Sequence, residues 1–431
     1  MKPSSACMLG TTIAALLSST TAQESQDEHP VLLLSEDESF HFELLVPLGE
    51  AIYSGADINP LLAAAKTITP GDFDSFSEVF YDLANKTKLQ AEDPDNAYDL
   101  VNVRDTWFSA ATYFRRADFY LHGDWENPLI NTLWDEQLAA FDMGLSSLPH
   151  PAHRVQIPAD NFTIEAIWYA PSYDNSTQRP TLILGNGYDG AQEDLYHTVV
   201  VPALARGWNA ITYEGPGHPK VRREQNIGFI HNWEAVITPL VDYVLSEKEG
   251  VVDPLRLVLF GYSMGGYLSA RAAAFESRLS AVLLNGGIYS LYDSYSPQLP
   301  PEALELFNAG DQAAFDEAVE AMRAQPDLAS NVRWGLEQGL WSFNTRSGFE
   351  FFEKTKEFTM EGIIDKIQVP VWIADAEFEG FFKGQSELVH QALGDLATLH
   401  VFADTAGYHC QVGALQELNR AMFGWLQKTL Y

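Results

Sequence analysis

The chain has 431 residues, of which 46% are hydrophobic and 20% are charged. This globular composition argues against wholesale disorder and leaves room for one large domain with insertions or for two domains. Asp and Glu number 59 against 26 Lys and Arg, which gives a formal net charge of -33. Such acidity disfavours nucleic acid and anionic membrane surfaces as partners, because phosphate groups are bound by clustered Lys and Arg.

The first 22 residues have the pattern of a secretory signal peptide. Lys2 provides a positive start, residues 7–17 form an apolar run too short to span a bilayer, and small residues precede Gln23. We expect cleavage before Gln23 and entry into the secretory pathway, with secretion as the outcome; a cytoplasmic location is the alternative. Removal of this segment leaves Cys410 as a single cysteine, which excludes an intrachain disulfide.

Three N-x-S/T sequons, at Asn85, Asn161 and Asn175, are glycosylation candidates that agree with this route. They add little weight, since a chain of this length carries about two or three by chance.

Residues 30–150 have helical periodicity. In "DSFSEVFYDLANKTKLQ" and "VRDTWFSAATYFRRADFYLHG", apolar residues recur at spacings of three and four. The preceding "TPGDFDSF" offers a helix start, with Asp72 or Asp74 available as the capping residue. The pattern predicts an all-helical N-terminal cap region over residues 30–150.

Residues 151–431 have the pattern of an α/β domain. "FTIEAIWYAP" alternates like an exposed antiparallel strand. Short apolar runs that end in Gly, Asp or Asn follow at residues 180–187, 208–217, 256–263, 280–287, 369–377 and 397–404. Strands alternating with helices predict a mostly parallel sheet with helices on both faces, and ligands bind beyond the carboxyl ends of such strands. A largely helical stretch at about 288–365 exceeds a normal crossover, so we expect an insertion that roofs the site.

The segment "LVLFGYSMGGYLSARAAAF" contains G-x-S-x-G, centred on Ser263, between a predicted strand and a predicted helix. This is the context of a nucleophile elbow, in which Gly261 and Gly265 leave room for a sharp turn. Ser263 is therefore the candidate nucleophile, and a serine hydroxyl needs a base to accept its proton.

The base is predicted to be His409, which lies in "ADTAGYHCQVGA" between the last predicted strand and the C-terminal helix. The acid is predicted in the loop "IADAEFEGFFKGQ", where Glu379 is favoured because it lies past the strand end. Asp375, almost within the strand, is the alternative acid. The chain order Ser, acid, His is that of α/β-hydrolases.

Two backbone N–H groups are expected to form the oxyanion hole, those of Tyr188 and Met264. Tyr188 lies in "GNGYDGAQED" after the first parallel strand, and Met264 follows the nucleophile. Residues predicted to line the substrate pocket are Asp189, Tyr262, Trp107 and Tyr113, although aromatic residues at helical spacing are more often core. The sequence contains no H-E-x-x-H, C-x-x-C, EF-hand, G-x-G-x-x-G or Walker A pattern, so we expect neither a metal nor a cofactor.

Four strings carry a family resemblance: "GYSMGGYLSARAAAFESRLSAVLLNGG", "VPVWIADAEFEGFFKGQ", "AGYHCQVGALQELNRAMFGWL" and "YEGPG". They resemble a fungal branch of the α/β-hydrolases that includes heptaketide-shortening hydrolases and hydrolases of fusarin and cytochalasan clusters. The branch is similar to bacterial 2,6-dihydroxypseudooxynicotine hydrolase. The resemblance covers residues 150–431 well and the N-terminal helices more loosely.

The resemblance implies Ser263 as nucleophile, His409 as base and Glu379 as acid, although the family usually has Asp where Glu379 stands. It also implies a polyketide-like ester or ketone as substrate, cleaved at an ester or carbon–carbon bond in secondary-metabolite biosynthesis. Alternatives are a ring-forming tailoring enzyme, a secreted carboxylesterase and a non-catalytic binding module. The expected partner is a small molecule, with no membrane span, and a homodimer is left open.

Overall fold

The computed structural model describes residues 30–431, so the predicted signal peptide lies outside the described residues. Residues Leu34–Tyr431 form one compact unit. Its first helices are α1 (Glu38–Glu50), α2 (Ile58–Ala65), α3 (Phe73–Glu92), α4 (Leu100–Asp118) and α5 (Leu129–Ser146). Aspartates cap three of them: Asp37, Asp72 and Asp99 accept bonds from backbone N–H groups in the first turns of α1, α3 and α4. For α3, Asp72 is thus the capping residue.

An eight-stranded sheet follows these helices. Its strands are β1 (Ala152–Pro158), β2 (Thr163–Tyr169), β3 (Arg179–Gly185), β4 (Asn209–Glu214), β5 (Val252–Tyr262), β6 (Ala281–Asn285), β7 (Val371–Ala376) and β8 (Ala397–Phe402). The spatial order is β1-β2-β4-β3-β5-β6-β7-β8. β2 pairs antiparallel with β1 and with β4. The other neighbouring pairs, in the spatial series β4-β3-β5-β6-β7-β8, are parallel. The predicted α/β-hydrolase architecture, a mostly parallel sheet, is confirmed.

Two features of the first strands differ from the sequence-based expectation. β1 was not predicted, because only Val155 and Ile157 stand out as apolar in this edge strand. β2, expected to be exposed, is buried between β1 and β4, and even Glu165 is enclosed, its carboxylate accepting a bond of 2.9 Å from Gln156. Helices cover both faces here, so alternation of polar residues does not mark a solvent face.

The remaining helices are α6 (Val201–Ala205), α7 (Pro219–Gln225), α8 (Glu234–Glu247), α9 (Gly265–Ala273), α10 (Leu291–Tyr295), α11 (Pro301–Asn308), α12 (Gln312–Arg323), α13 (Ser330–Ser342), α14 (Gly348–Thr355), α15 (Gln385–Leu393) and α16 (Leu415–Leu430). They place core on both faces of the sheet. Along β5, Leu257 and Leu259 pack into the cluster that includes α8 and α9, whereas Val258 and Phe260 pack into the cluster that includes α4, α5 and α16. This period-two division is what a doubly covered strand requires.

The predicted insertion consists of α10–α14, which lie between β6 and β7 in the chain. Its apolar residues join the cluster on the α8 and α9 face, while the N-terminal helices also have a core of their own around Phe76 and Phe80. Within residues 30–431, no helix is both long and apolar enough to cross a membrane.

Candidate active site

Ser263 occupies a tight turn between β5 and α9. Its φ angle is +57°, a left-handed conformation that non-glycine residues rarely adopt and that a nucleophile elbow imposes. The turn is held by the Ser263 N–H, which donates to the Asn285 carbonyl oxygen at 2.7 Å. A β-carbon at Gly261 would collide with the Gly265 carbonyl, and one at Gly265 would lie 2.6 Å from the Asn186 carbonyl oxygen. Both glycines are therefore required by close backbone approach.

His409 connects the serine to a carboxylate. Its Nε2 lies 2.9 Å from Ser263 Oγ, and its Nδ1 lies 2.6 Å from Glu379 Oε2. The imidazole is buried, and the rings of Phe42, Phe381 and Phe382 surround it at centroid distances of 6.4, 4.9 and 5.7 Å. An apolar enclosure of this kind keeps water from competing for these bonds.

The carboxylate of Glu379 is fixed from both sides. Its Oε1 accepts bonds from the backbone N–H groups of Phe381 (2.9 Å) and Phe382 (3.1 Å), while Oε2 faces His409. Burial acts to raise the pKa of Glu379, but His409 and the two backbone donors outweigh it, and the net pKa is lowered. Asp375 is within β7 and has no bond to His409; burial raises its pKa. Of the two predicted acids, Glu379 is the one placed beside the imidazole.

The loop carrying His409 is strained after the histidine. Cys410 and Gln411 have φ angles of +54° and +53°, and the Cys410 thiol lies 3.3 Å from His409 Nε2 and 3.4 Å from the Asn285 carbonyl. Burial lowers the pKa of His409, but Cys410 and Glu379 act against it and the net pKa is raised well above 6.5. Burial raises the pKa of Cys410, so the thiol is neutral at neutral pH and Glu379 supplies the charge that His409 meets.

The loop after β3 lies directly against Ser263. A β-carbon at Gly187 would come within 2.8 Å of Ser263 Cβ and 2.9 Å of the Met264 nitrogen. The N–H groups of Tyr188 and Met264 belong to residues that adjoin this contact, and within residues 30–431 no acceptor is bonded to either. Preorganised donors beside a nucleophile are what an oxyanion hole requires.

Side-chain bonds hold this loop. Asn186 accepts a bond from the Gly187 N–H through Oδ1 (2.8 Å) and donates to the Ala191 carbonyl through Nδ2 (2.9 Å). His218 Nε2 lies 3.1 Å from the Asn186 carbonyl, and burial lowers the pKa of His218 to about 4, so the ring is neutral. The Tyr188 hydroxyl donates to the Gly335 carbonyl of α13 at 2.8 Å, which joins the loop to the insertion.

A cleft with an empty volume of about 1290 Å³, part of it open to solvent, lies over Ser263 and His409. One wall comes from the insertion and is apolar; it includes Leu299, Val332, Trp334, Leu336, Phe351 and Phe352. A second wall comes from α1, α4 and the loop after β3 and carries charged groups; it includes Glu43, Glu50, Arg116, Asp189 and Asp194. The cleft therefore suits a mainly apolar molecule with a polar part.

A family model described as the alpha/beta hydrolase family matches residues 182–413, more than half of the chain. The chain belongs to the alpha/beta hydrolase family. The match extends from β3 to the loop after His409, and it includes the residues that meet around Ser263.

Relatives of similar length support this assignment. The hydrolase is 28% identical over 407 residues to "Hydrolase LUC6" of a Fusarium species, with 90% of this chain and 96% of the relative covered. It is 27% identical over 406 residues to "20-hydroxy-prefusarin hydrolase FUS2" of Gibberella moniliformis, with the same coverage of 90% and 96%. The crystal structure of 2,6-dihydroxy-pseudo-oxynicotine hydrolase matches with a TM-score of 0.68 at 17% identity, covering 89% of this chain and 95% of that one, so it shares the fold. The family resemblance inferred from the sequence is confirmed.

The structure places the predicted pocket residues in two groups. Asp189 and Tyr262 line the cleft of the hydrolase. Trp107 and Tyr113 do not: Trp107 packs in the core beside the sheet, and Tyr113 packs among the N-terminal helices, where its hydroxyl accepts a bond of 2.9 Å from the Asp57 N–H. Both lie on helix faces that pack onto other elements, so the prediction that they line the pocket is wrong.

Apart from Asp189, the charged wall of the cleft was not predicted. On α1, Glu43, Val46 and Glu50 all face the cleft, at spacings of three and four residues. That spacing, within the apolar string "FHFELLVPLGE", was the available signal: a helix that buries this stripe must also bury its glutamates.

Two further histidines and the three predicted sequons do not line the cleft. His197 is buried, with Nδ1 2.9 Å from the Tyr53 carbonyl, and His231 pairs with Glu357 at the surface. Among the sequons, Asn161 and Asn175 are exposed in turns, and Asn85 is half-buried within α3. Across residues 30–431, no group of three or more His, Cys, Asp or Glu side chains is arranged to hold a metal ion.

Proposed function

We propose that this protein is a serine hydrolase that cleaves an ester or a ketone-flanking carbon–carbon bond of a polyketide-like small molecule in secondary metabolism. The observation that carries the proposal is the bonded series from Ser263 Oγ through both nitrogens of His409 to Glu379 Oε2, at 2.9 and 2.6 Å. Nucleophile, base and orienting acid stand in the order that acyl transfer requires.

In the first step, His409 Nε2 takes the hydroxyl proton of Ser263 as Oγ attacks the substrate carbonyl carbon. Glu379 holds the Nδ1–H tautomer, which leaves Nε2 free to accept that proton, and it stabilises the imidazolium that forms. The carbonyl oxygen, now negative, is bonded by the N–H groups of Tyr188 and Met264.

In the second step, the tetrahedral intermediate collapses and His409 returns the proton to the leaving group. When the substrate is an ester, the leaving alkoxide is protonated and departs as an alcohol. When the substrate is a β-dicarbonyl compound, the leaving carbanion is protonated at carbon and departs as a ketone. Ser263 is left acylated. A water molecule, deprotonated by His409, then attacks the acyl-enzyme, releases a carboxylic acid and restores the Ser263 hydroxyl.

Two observations support the proposed substrate class. The insertion wall of the cleft is aromatic and aliphatic, which suits a reduced or conjugated carbon chain. The relative FUS2 is named for 20-hydroxy-prefusarin, and the similarity between the two chains extends over 90% of this one.

The proposal is tested with a fluorophosphonate probe, which phosphonylates activated serines. We expect labelling of the wild-type protein at Ser263, and loss of labelling and of para-nitrophenyl ester hydrolysis in Ser263→Ala. Ser269→Ala is the matched control: this serine lies further along the chain, on α9, is fully buried and does not line the cleft. A folded Ser263→Ala protein that keeps its activity would refute the proposal and favour ring formation, in which base and oxyanion hole act on an enolate.

We also propose that the protein follows the secretory route. Asn161 and Asn175 are exposed in turns, where a transferase can reach them. The test is electrophoretic mobility of the protein from its native host before and after endoglycosidase treatment. A cytoplasmic location would be favoured if endoglycosidase treatment left the mobility of the wild type unchanged, if the Asn161→Gln and Asn175→Gln variants migrated like the wild type, and if the N-terminal Met1 were intact.

A further inference from the structure

The charged wall of the cleft contains more carboxyl groups than its basic residues neutralise. Glu43, Glu50, Asp189 and Asp194 line this wall, and Arg116 is the basic residue among them. Arg115, buried behind them, donates to both the carbonyl and the carboxylate of Asp189 at 2.8 and 3.1 Å. Four carboxyl groups thus meet two guanidinium groups.

Three of these four carboxyl groups have partners. Glu43 accepts a bond of 2.9 Å from Arg116, and Asp189 is bonded by Arg115. Asp194 accepts a bond of 3.1 Å from the Ala191 N–H and lies 3.5 Å from Arg115 Nε. Their positions are fixed by the protein itself.

Glu50 differs from the other three. Its side chain is buried, with 3% of the residue exposed, and its Oε1 has no hydrogen-bond partner within residues 30–431. The side chain lines the cleft, and Gly55 packs closely on its Cβ, since a β-carbon at Gly55 would come within 2.8 Å of it. A buried carboxyl oxygen without a partner is costly, and a bound ligand that donates to it removes that cost.

We infer that Glu50 is the anchor of a polar subsite that receives a hydrogen bond from a neutral donor group of the substrate, a hydroxyl or an amide N–H. The inference rests on the proposed function, because it places this subsite in the same cleft as Ser263. The apolar part of the substrate then lies along the insertion wall, and the polar group lies toward α1.

The charge state of the wall favours a neutral group over a cation. Burial, and next Asp194, raise the pKa of Glu50 to about 8, and burial raises the pKa of Glu43 to about 8 despite Arg116. Both shifts favour the neutral form of the carboxyl group, and a neutral carboxyl group both donates and accepts. It matches a hydroxyl or an amide, which also does both.

The test uses para-nitrophenyl alkanoates of several chain lengths, each with a methyl, hydroxyl, carboxamide or ammonium terminus. Hydrolysis is measured with the wild-type protein, and binding is measured by calorimetry with Ser263→Ala, which holds the esters intact. We expect the hydroxyl or carboxamide terminus to be preferred over methyl by about tenfold in kcat/KM and in Kd at the chain length that reaches Glu50.

Glu50→Leu should remove this preference, and Glu50→Gln, which keeps an acceptor and a donor, should retain most of it. The matched control is Glu193→Gln: Glu193 is buried to the same extent and also has an unpartnered oxygen, but it does not line the cleft. The readout is the ratio of kcat/KM between esters with different termini, measured within one variant. A structural defect lowers kcat/KM for all the esters together and leaves this ratio unchanged.

Equal binding and hydrolysis of all termini at every chain length would overturn the inference while leaving the serine mechanism intact. A preference for the ammonium terminus that Glu50→Gln abolishes would overturn it in favour of a cation site. Absence of hydrolysis with a retained preference in binding would refute the proposed function and leave the subsite standing.

Discussion

Replacing Glu379 by Gln should disable the hydrolase almost completely although it changes no more than one atom. Glu379 Oε1 accepts two backbone bonds, from Phe381 and Phe382, at 2.9 and 3.1 Å. A glutamine therefore keeps its oxygen on these donors, and its NH₂ group faces His409 Nδ1. The NH₂ group donates, so Nδ1 must become the acceptor, and the ring proton moves to Nε2. Nε2 then cannot accept the proton of Ser263.

The magnitude follows from the loss of the base. A wrong imidazole tautomer costs about 10⁴-fold in kcat in an enzyme with a serine triad, and each tenfold is about 1.4 kcal/mol, so the cost is about 5.5 kcal/mol. The opposite rotamer of the glutamine would set its NH₂ group against two N–H donors at about 3 Å. That arrangement leaves both donors unpaired, at about 1–3 kcal/mol each, so the flipped rotamer is the minor one.

The assay is the rate of fluorophosphonate labelling together with kcat/KM for a para-nitrophenyl ester, with circular dichroism to confirm folding. Glu377→Gln is the matched control, since this exposed glutamate lies two residues away and accepts a bond from the Asp404 N–H, which a glutamine oxygen can also accept. Asp375→Asn tests the alternative acid. Retention of activity within about threefold in Glu379→Gln, with a large loss in Asp375→Asn, would refute the reasoning.

Three further outcomes follow from the same geometry. Gly187→Ala should lower kcat by about 10²–10³-fold with little change in KM, because the added carbon meets Ser263 Cβ at 2.8 Å and displaces an oxyanion donor; steady-state kinetics measure this. Since the net pKa of His409 is raised and the base must be neutral, kcat/KM should rise with pH through a midpoint above 6.5, and in Glu379→Gln any residual activity should have a lower midpoint. Glu50 has a pKa of about 8 folded against 4.5 when solvated, so the folded state binds more protons and stability falls as pH rises between these values; the loss of Tm between about pH 5 and about pH 8 should be smaller in Glu50→Gln.

The parallel strands were predictable because each is a short apolar run that ends at a turn residue. Burial on both faces makes such runs continuous in sequence, as residues 257–260 of β5 show. β1 escaped prediction for the opposite reason: an edge strand pairs on one side and tolerates polar residues such as His153 and Arg154. Its strand character comes from pairing with β2, the next strand in the chain, and the pattern of residues within β1 does not contain that pairing.

The residues around Ser263 were predictable because their positions follow from strand ends. The loops after β3, β5, β7 and β8 meet at one edge of a parallel sheet, so Ser263, Glu379 and His409 converge wherever the strand order permits. The choice of Glu379 over Asp375 had the same basis, since a side chain within β7 points into the layers that cover the sheet, whereas a residue in the following loop can turn toward its neighbour.

The walls of the cleft were not predictable on these grounds. Trp107 and Tyr113 share the helical spacing of pocket residues, yet α4 packs both of them away from the cleft. Glu43 and Glu50 are charged residues of the kind that usually lie on the solvated face of a helix, yet in α1 both are buried. Which face of a helix meets a cavity is decided by how helices pack on one another, and amphipathic periodicity alone assigns only the buried side.

Ionic contacts also join the N-terminal helices to the loop beside Ser263. Arg115 of α4 donates to Asp189, and its Nε lies 3.5 Å from the Asp194 carboxylate. Both aspartates belong to the loop after β3, which also carries Tyr188 and its candidate oxyanion donor. Truncation of the helices would strip both aspartates of their partner at once and release the loop from its position beside Ser263. The position of this loop in the hydrolase therefore depends on the N-terminal helices, although these helices contain none of Ser263, His409 and Glu379.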